Sequence, residues 1–323
     1  MRTLLLLLLC TLLFYRGSAQ ELFPLNEPAS TMPKQVLGVR LLNQSYVEPN
    51  NTFRTMAGLR LMYGATSKLT VMLNATVSNH HSKDLPPDFP DHNTPQIGVP
   101  LPLRFNGVNL YAKYRVWSKD GQNSHFRVAL YGEYSYLDVA HDEAEPNLMD
   151  DTKGWGAGFI ITYLKKHFAV SFTGGVIVPS DYHGYVPDIY AGLPAVPATV
   201  KYGNALSYNL SFGYLLFPQV YKNYDQTNLN LYVEFLGRSY DRAKVYFDNL
   251  GQPGTPYEVT GAGMQALSKG HYVELHPGIQ AIIRSNLRLD LSVGFPVIQK
   301  SYAHFYPLYS IGIQRYFYPR SRK

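Results

Sequence analysis

The sequence predicts an all-β fold, a single antiparallel transmembrane β-barrel of about twelve strands. Three observations predict it. Apolar and polar residues alternate along segment after segment, with scarcely any helical period. Many of these segments run ten residues or longer, the length of a tilted strand crossing a bilayer rather than of a strand in a soluble sheet. The connections sort by parity into short turns and long loops, as they do when a barrel has turns on one side of a membrane and loops on the other. An unpaired backbone N–H or C=O costs several kcal/mol in hydrocarbon, so the first and last strands must meet.

Ahead of the strands, Met1-Arg2, the apolar run Leu4 to Phe14 and the small residues Gly17-Ser18-Ala19 have the layout of a secretory signal peptide over 1–19. The only cysteine, Cys10, lies in that run behind Leu9, where a lipid-attachment site would want a small residue, so the mature chain is expected to hold neither thiol nor disulfide. Loss of Arg2 and Arg16 with the leader takes the formal charge from +6 to +4. Residues 20–34 are expected as a periplasmic lead-in and 35–323 as the barrel. The 323 residues include 27 Tyr but are only 16% charged, below the roughly 25% of a soluble domain, which suits a surface that meets something other than water. No later stretch offers the roughly 20 apolar residues of a spanning helix. The cluster Arg320 to Lys323 is too small to imply nucleic-acid binding.

In chain order, strands are expected near 35–47, 53–63 and 68–79; in the third, Leu69, Val71, Leu73, Ala75 and Val77 oppose Thr70, Met72, Asn74 and Thr76. The next fall near 104–117, 125–137, 153–163 and 167–178. Over 108–117, Val108, Leu110, Ala112, Tyr114 and Val116 oppose Asn109, Tyr111, Lys113, Arg115 and Trp117. Those near 204–217 and 227–240 follow, and 271–284, 287–299 and 307–318 complete the set. The clearest alternation places Leu287, Leu289, Leu291, Val293, Phe295 and Val297 against Arg288, Asp290, Ser292 and Gly294. Short links such as Gly64 to Ser67, Leu164 to Lys166 and Ser285-Asn286 alternate with the long, Pro- and Gly-rich stretches 80–103, 138–152, 179–203 and 241–270, while the links near 48–52 and 300–306, on the long-loop side, are short. Aromatics gather at both ends: Trp117, Tyr163, Phe168, Phe217, Tyr316, Phe317 and Tyr318 near the short turns, and Tyr46, Tyr136, Trp155, Tyr182, Tyr208 and Tyr306 near the loops. Such rings are favoured at headgroup level, where one edge is apolar and the other forms hydrogen bonds.

With the apolar faces toward lipid, the opposite faces line the lumen. They carry Arg40, Arg54, Arg60 and Lys113, then Arg115, Arg127, Arg238 and Arg288, against Glu133, Glu234, Glu274 and Asp290. Two readings stand side by side: a packed network of ion pairs holding a narrow barrel shut, or a polar path whose surplus of cations draws anionic solutes. The pair His80-His81 with Asp84 and Asp88, or His141 with Asp142, Glu143 and Glu145, offers metal-binding side chains but matches no known ligand spacing, so solvated loops and no metal are expected. His92, His183, His271 and His304 also fall in or beside the loops. His276 lies within a strand, with Ser292 on its neighbour, but both have inward parity and no nucleophile motif surrounds them. A lumen residue is expected there rather than a catalytic base.

The segment Leu275-His276-Pro277-Gly278-Ile279-Gln280, continuing through Ser285-Asn286-Leu287 to Val293-Gly294-Phe295-Pro296-Val297, resembles the closing hairpin of outer-membrane transporter barrels of the phenol meta-cleavage pathway type. Gly58-Leu59-Arg60-Leu61-Met62-Tyr63-Gly64, leading into Lys68-Leu69-Thr70-Val71, is similar to another hairpin of that family. The resemblance covers about a fifth of the chain and implies a barrel that carries small hydrophobic or aromatic compounds; it brings no catalytic residues. The aromatic Tyr316-Phe317-Tyr318 is followed by five more residues, where substrates of the barrel assembly machinery usually end on an aromatic. The expectation is an outer-membrane channel, not an enzyme and without a cofactor. Its partners are outer-membrane lipid, the assembly machinery and a small anionic or aromatic solute. The alternative is a non-conducting surface barrel whose long loops bind a protein or glycan.

Overall fold

The structure, a computed structural model, describes residues 23–319 except 86–88, 90–97, 138, 141, 187–195, 221–224, 248–256, 260–264 and 303. The leader with Cys10, the loop residues Asp88, His92 and His141, and the basic tail lie outside the described residues.

In chain order the strands are β1 (Leu37–Val47), β2 (Phe53–Gly64), β3 (Leu69–Ser78), β4 (Arg104–Asp120), β5 (Ser124–Leu137), β6 (Gly154–Lys165), β7 (Phe168–Pro179), β8 (Tyr182–Val186), β9 (Val196–Lys201), β10 (Ala205–Phe217), β11 (Asn228–Tyr240), β12 (Lys244–Phe247), β13 (Tyr257–Val259), β14 (Gly270–Ile283), β15 (Leu287–Lys300) and β16 (Leu308–Phe317). Twelve of them close an antiparallel barrel in the order β1-β16-β15-β14-β11-β10-β7-β6-β5-β4-β3-β2. These are the twelve periodic segments of the sequence. Closure is made by β16 against β1, with Leu37 opposite Phe317 and Arg40 opposite Gln314. The hairpin of β14 and β15 is therefore the penultimate one. The wall is continuous, and the alternation is visible along it. On β15, Leu289 and Leu291 are exposed while Arg288, Asp290 and Ser292 are buried; on β3, Thr70, Met72, Asn74 and Thr76 point into the barrel.

Two aromatic positions depart from expectation. The register of β4 against β5 shifts between Arg115 and Trp117, a bulge that turns Trp117 outward to 49% exposure instead of inward. Tyr316, expected at the membrane interface, is 3% exposed and packs inside against Met32 and Val36. It shares its face with Gln314 on β16, and that face looks inward.

The long loops are not simply solvated. β8, β9, β12 and β13 form a separate four-stranded sheet in the order β13-β12-β9-β8, built from the connections after β7 and β11. Val200 and Val245 of that sheet are fully buried and join Leu267, from the connection after β11, and Leu85, Phe89, Ala144 and Leu148, from the other long loops, in one apolar cluster. The cluster runs down to Ile177, Ala205, Tyr240 and Tyr272 on the barrel strands. These strands are only three to six residues long, and one contains Pro197, so their period is too brief to stand out in the sequence.

The segment 23–36 also differs from expectation. Instead of lying outside as a lead-in, it crosses the interior of the barrel near the short-turn end. Phe23, Asn26, Ala29 and Met32 are all buried there.

Candidate functional site: a lumen closed at both ends

Pro24, Pro28 and Pro33 lack the N–H groups that a sheet ladder needs, so the segment has little to gain from pairing as a strand. Its polar groups are met instead by side chains from around the wall. The Glu234 carboxylate accepts the backbone N–H of Leu25 at 3.0 Å and of Asn26 at 2.8 Å, while Asn26 donates to Ser211 at 3.0 Å and accepts from Thr173 at 2.7 Å. Ala29 N–H donates to Thr162 at 2.8 Å, and Met32 N–H to Thr70 at 2.9 Å. Glu27 lies 2.5 Å from Arg60 Nη1 and 3.0 Å from Lys113 Nζ, and that ammonium also donates to the Pro28 carbonyl at 2.7 Å. Arg127 reaches Ser30 at 3.0 Å, and Arg288 reaches the Phe23 carbonyl at 3.1 Å. Beside Phe23, a cavity of about 780 Å³ opens at the turn end, lined in part by Leu164, Ala169, Gly213 and Asn230.

At the loop end the closure is a second polar network. Glu145, from the connection before β6, lies 3.4 Å from Arg238 and 2.7 Å from His304 Nε2, and Arg238 also donates to the Pro146 carbonyl at 2.6 Å. The other ring nitrogen of His304 is 3.1 Å from Glu274, which accepts from Tyr306 at 2.8 Å and sits 2.9 Å from His276 Nε2. His304 is thus an imidazolium held between two carboxylates. Burial alone would lower its pKa, but Glu145 and Glu274 more than offset this and lift it to about 10. Tyr306, expected among the interfacial aromatics, belongs to this network instead.

The remaining charged positions read from parity are engaged as follows. Arg54 forms a two-point pair with Glu48 at 2.7 and 3.3 Å and donates to the Asn79 carbonyl at 2.9 Å. Arg40 faces Asp290 at 3.8 Å, and Arg288 donates to the same carboxylate at 2.8 Å. Glu133 accepts from Asn109 at 3.1 Å. Arg115 donates to the Ser67 carbonyl at the half-exposed turn end, where Arg127 also meets Asp120 at 3.1 Å. Against the eight cations and four acids read from strand parity, the fold adds four more acids beside those cations: Glu27, Glu48, Asp120 and Glu145. Three of them come from outside the strands, where alternation gives no warning, and Asp120 lies past the bulge in β4. His276 is fully buried against Glu274, and among the described residues no hydrogen bond joins it to Ser292.

No protein-family model matches the sequence, and no curated protein matches it. Among solved structures, the chain is similar to an outer membrane channel from Pseudomonas putida F1, with a TM-score of 0.53 and 12% identity over 92% of this chain and 100% of that one. The toluene transporter TbuX of Ralstonia pickettii aligns at a TM-score of 0.43 and 10% identity, covering 89% of this chain and 90% of its own. The β domain of the Bordetella autotransporter BrkA aligns at 0.41 and 14% identity, over 88% and 100%. The first likeness places this fold with those of outer-membrane barrels. The fold is a closed twelve-stranded antiparallel barrel without helices among the described residues.

Proposed function

We propose that the chain is an exported outer-membrane channel for passive movement of a small solute, and that residues 23–36 are its movable closure. The observation that carries this reading is the way the segment is held. Residues 23–34 are bound inside the barrel by side-chain hydrogen bonds and one pair of ion contacts, which water can replace, and by packing of Phe23, Ala29 and Met32; backbone pairing with the wall begins only at Gln35 and Val36, against Gly64. When the segment leaves, Glu27 leaves with it, while Arg60 and Lys113 remain on the wall. By the groups named above the opened lumen then carries only one more fixed cation than acid, but Arg60 and Lys113 are left without their shared carboxylate, and that local positive field attracts anions and carboxylate-bearing solutes. The resemblance to phenol meta-cleavage transporters supports a small hydrophobic or aromatic compound as the solute, and the freed cations favour one that also bears a carboxylate, an aromatic acid. Single-channel recording on the refolded chain in a planar bilayer with a salt gradient tests this. Removal of residues 23–34 in a chain that also carries His304→Gln, which loosens the loop-end network, is expected to raise conductance and give anion preference. A folded barrel released at both ends in this way that still passed neither ions nor an aromatic acid would overturn the reading.

A second reading is favoured by the folded cap. The sheet β8–β9–β12–β13 and its apolar cluster give the long loops a shape of their own, as a surface that binds a protein or glycan requires. Trimming these loops with protease on intact cells distinguishes the two, since it abolishes partner binding on this reading and leaves solute flux intact on the first.

A further inference from the structure

Two histidines adjacent in sequence, His80 and His81, follow β3 at the loop end, and they meet a carboxylate from another loop. His80 Nε2 lies 2.6 Å from Asp150 Oδ2, and His81 Nε2 lies 3.3 Å from the same oxygen. One nitrogen from each ring and one oxygen from Asp150 all fall within 4.8 Å of one another. Asp151 Oδ2 is 3.9 Å from His81 Nε2. The four side chains are largely shielded, between 5 and 14% exposed.

The carboxylates are aimed from behind. Asn106 on β4 is buried and donates to Asp150 Oδ1 at 3.0 Å and to the Asp150 carbonyl at 2.8 Å, which leaves Oδ2 turned toward the imidazoles. Asp151 Oδ1 accepts from Thr152 at 2.7 Å and from the Asn147 N–H at 3.3 Å, so that its Oδ2 is the oxygen facing His81. The His80 ring is stacked on Tyr46 and set edge-on to His81. His81 Nε2 is buried 3.3 Å from Asp150 Oδ2 but outside hydrogen-bond geometry. A shared ion would account for that approach: two ligand atoms each about 2.1 Å from a tetrahedral centre sit about 3.4 Å apart, close to the His81–Asp150 separation, and His80, 2.6 Å from the same oxygen, would draw back by under about 1 Å to coordinate. Second-side hydrogen bonds that fix ligand orientation, as Asn106 and Thr152 provide here, are what such sites use.

We propose that His80, His81 and Asp150, with Asp151 as the fourth ligand, bind one divalent transition-metal ion of the zinc class. Two imidazoles with carboxylates suit zinc and its neighbours rather than calcium or magnesium, which require oxygen cages. The ion ties the end of β3 to the turn before β6. That fixes the connection in which Glu145 reaches Arg238 and His304, so the metal holds the loop-end closure in place.

Equilibrium dialysis of the refolded full chain against Zn²⁺ alone, and then Co²⁺ alone, with Ca²⁺ as comparison, tests this directly. About one Zn²⁺ retained per chain is expected, with a visible cobalt spectrum of the intense four-coordinate type and no calcium retention. His81→Ala and Asp150→Asn are expected to lose retention, and Asn106→Ala, which touches no ion, to weaken it roughly tenfold. His125→Ala and His183→Ala, at partly exposed histidines elsewhere, should leave it unchanged. Heat-dependent gel migration shows whether each variant has closed its barrel. Failure of the wild-type chain to retain Zn²⁺ overturns the proposal whatever the variants do, and so does undiminished retention by folded His81→Ala and Asp150→Asn chains.

Discussion

Lys113 on β4 and Glu27 in the segment inside the barrel form a shielded ion pair, 3.0 Å between Nζ and Oε2, with the ammonium only 1% exposed. This pair joins the closing segment to the wall that it closes. Removing one partner of a buried pair strands the other charge, which costs up to roughly 3 kcal/mol. Glu27→Gln is therefore expected to favour release of the segment and to raise the fraction of time the barrel conducts. Current records in which Glu27→Gln and the parent open equally often would show that the pair does not hold the closure.

Glu234 offers a sharper test because it accepts two backbone N–H groups, those of Leu25 and Asn26. Glu234→Ala leaves both amides without acceptors, a loss of about 1–3 kcal/mol in the closed state. Hydrogen exchange at Leu25 and Asn26 should accelerate about 10- to 100-fold, while exchange in the β11 and β14 ladders stays slow. Uniform acceleration across those strands would mean that Glu234 supports the wall rather than the segment.

The barrel was legible because its two faces meet different surroundings, and a period of two records that directly. Arg288 and Asp290 could be assigned to the interior from their neighbours Leu287, Leu289 and Leu291 alone. The closures were not legible in the same way. Phe23, Asn26, Ala29 and Met32 recur at intervals of three in a proline-bearing stretch, which matches neither strand nor helix period. Glu145 and His304, which meet at 2.7 Å, are separated by 159 positions, and Asp150 is 70 positions from His80. The carboxylate that meets His80-His81 is Asp150, from the next long loop, which sequence proximity does not reveal. The run Pro24, Pro28 and Pro33 ahead of the first strand was the available hint that this stretch needs partners other than a ladder.

The loop-end network should weaken in alkali. His304 has its pKa raised from the ordinary 6.5 to about 10, against the effect of burial, by Glu145 and Glu274, with Arg238, Tyr272 and Tyr306 around them. A raised value means that the folded state holds the proton more tightly than the unfolded one. The stabilisation is complete below about pH 6.5, declines as pH rises and is gone above about pH 10. Cleavage by added protease in the connection before β6, measured from pH 6 to 10.5, should increase toward the alkaline end. His304→Gln should be cleaved readily at every pH, with a flatter profile. A parent profile as flat as that of His304→Gln would remove His304 from the closure.

Gly64, the last residue of β2, lets the closing segment approach the wall. A Cβ there would lie within about 2.0 Å of the Pro33 carbonyl oxygen and 2.9 Å of its carbon, both backbone atoms. At this point Gln35 N–H donates to the Gly64 carbonyl at 2.7 Å, and Gly64 N–H to the Val36 carbonyl at 3.0 Å. Backbone cannot step aside as the far end of a side chain can, so Gly64→Ala must push residues 33–36 off β2. Because the segment enters the barrel through this contact, the whole of 23–36 is expected to loosen. The substitution should therefore reproduce in part the conductance of the chain lacking 23–34, although Gly64 itself faces no solute. Leu61→Ala, a change on the outward face of the same strand, controls for loss of wall stability, since it weakens β2 without touching the segment. Matching conductance in Gly64→Ala and Leu61→Ala would place the effect in the wall and break the link between this contact and closure.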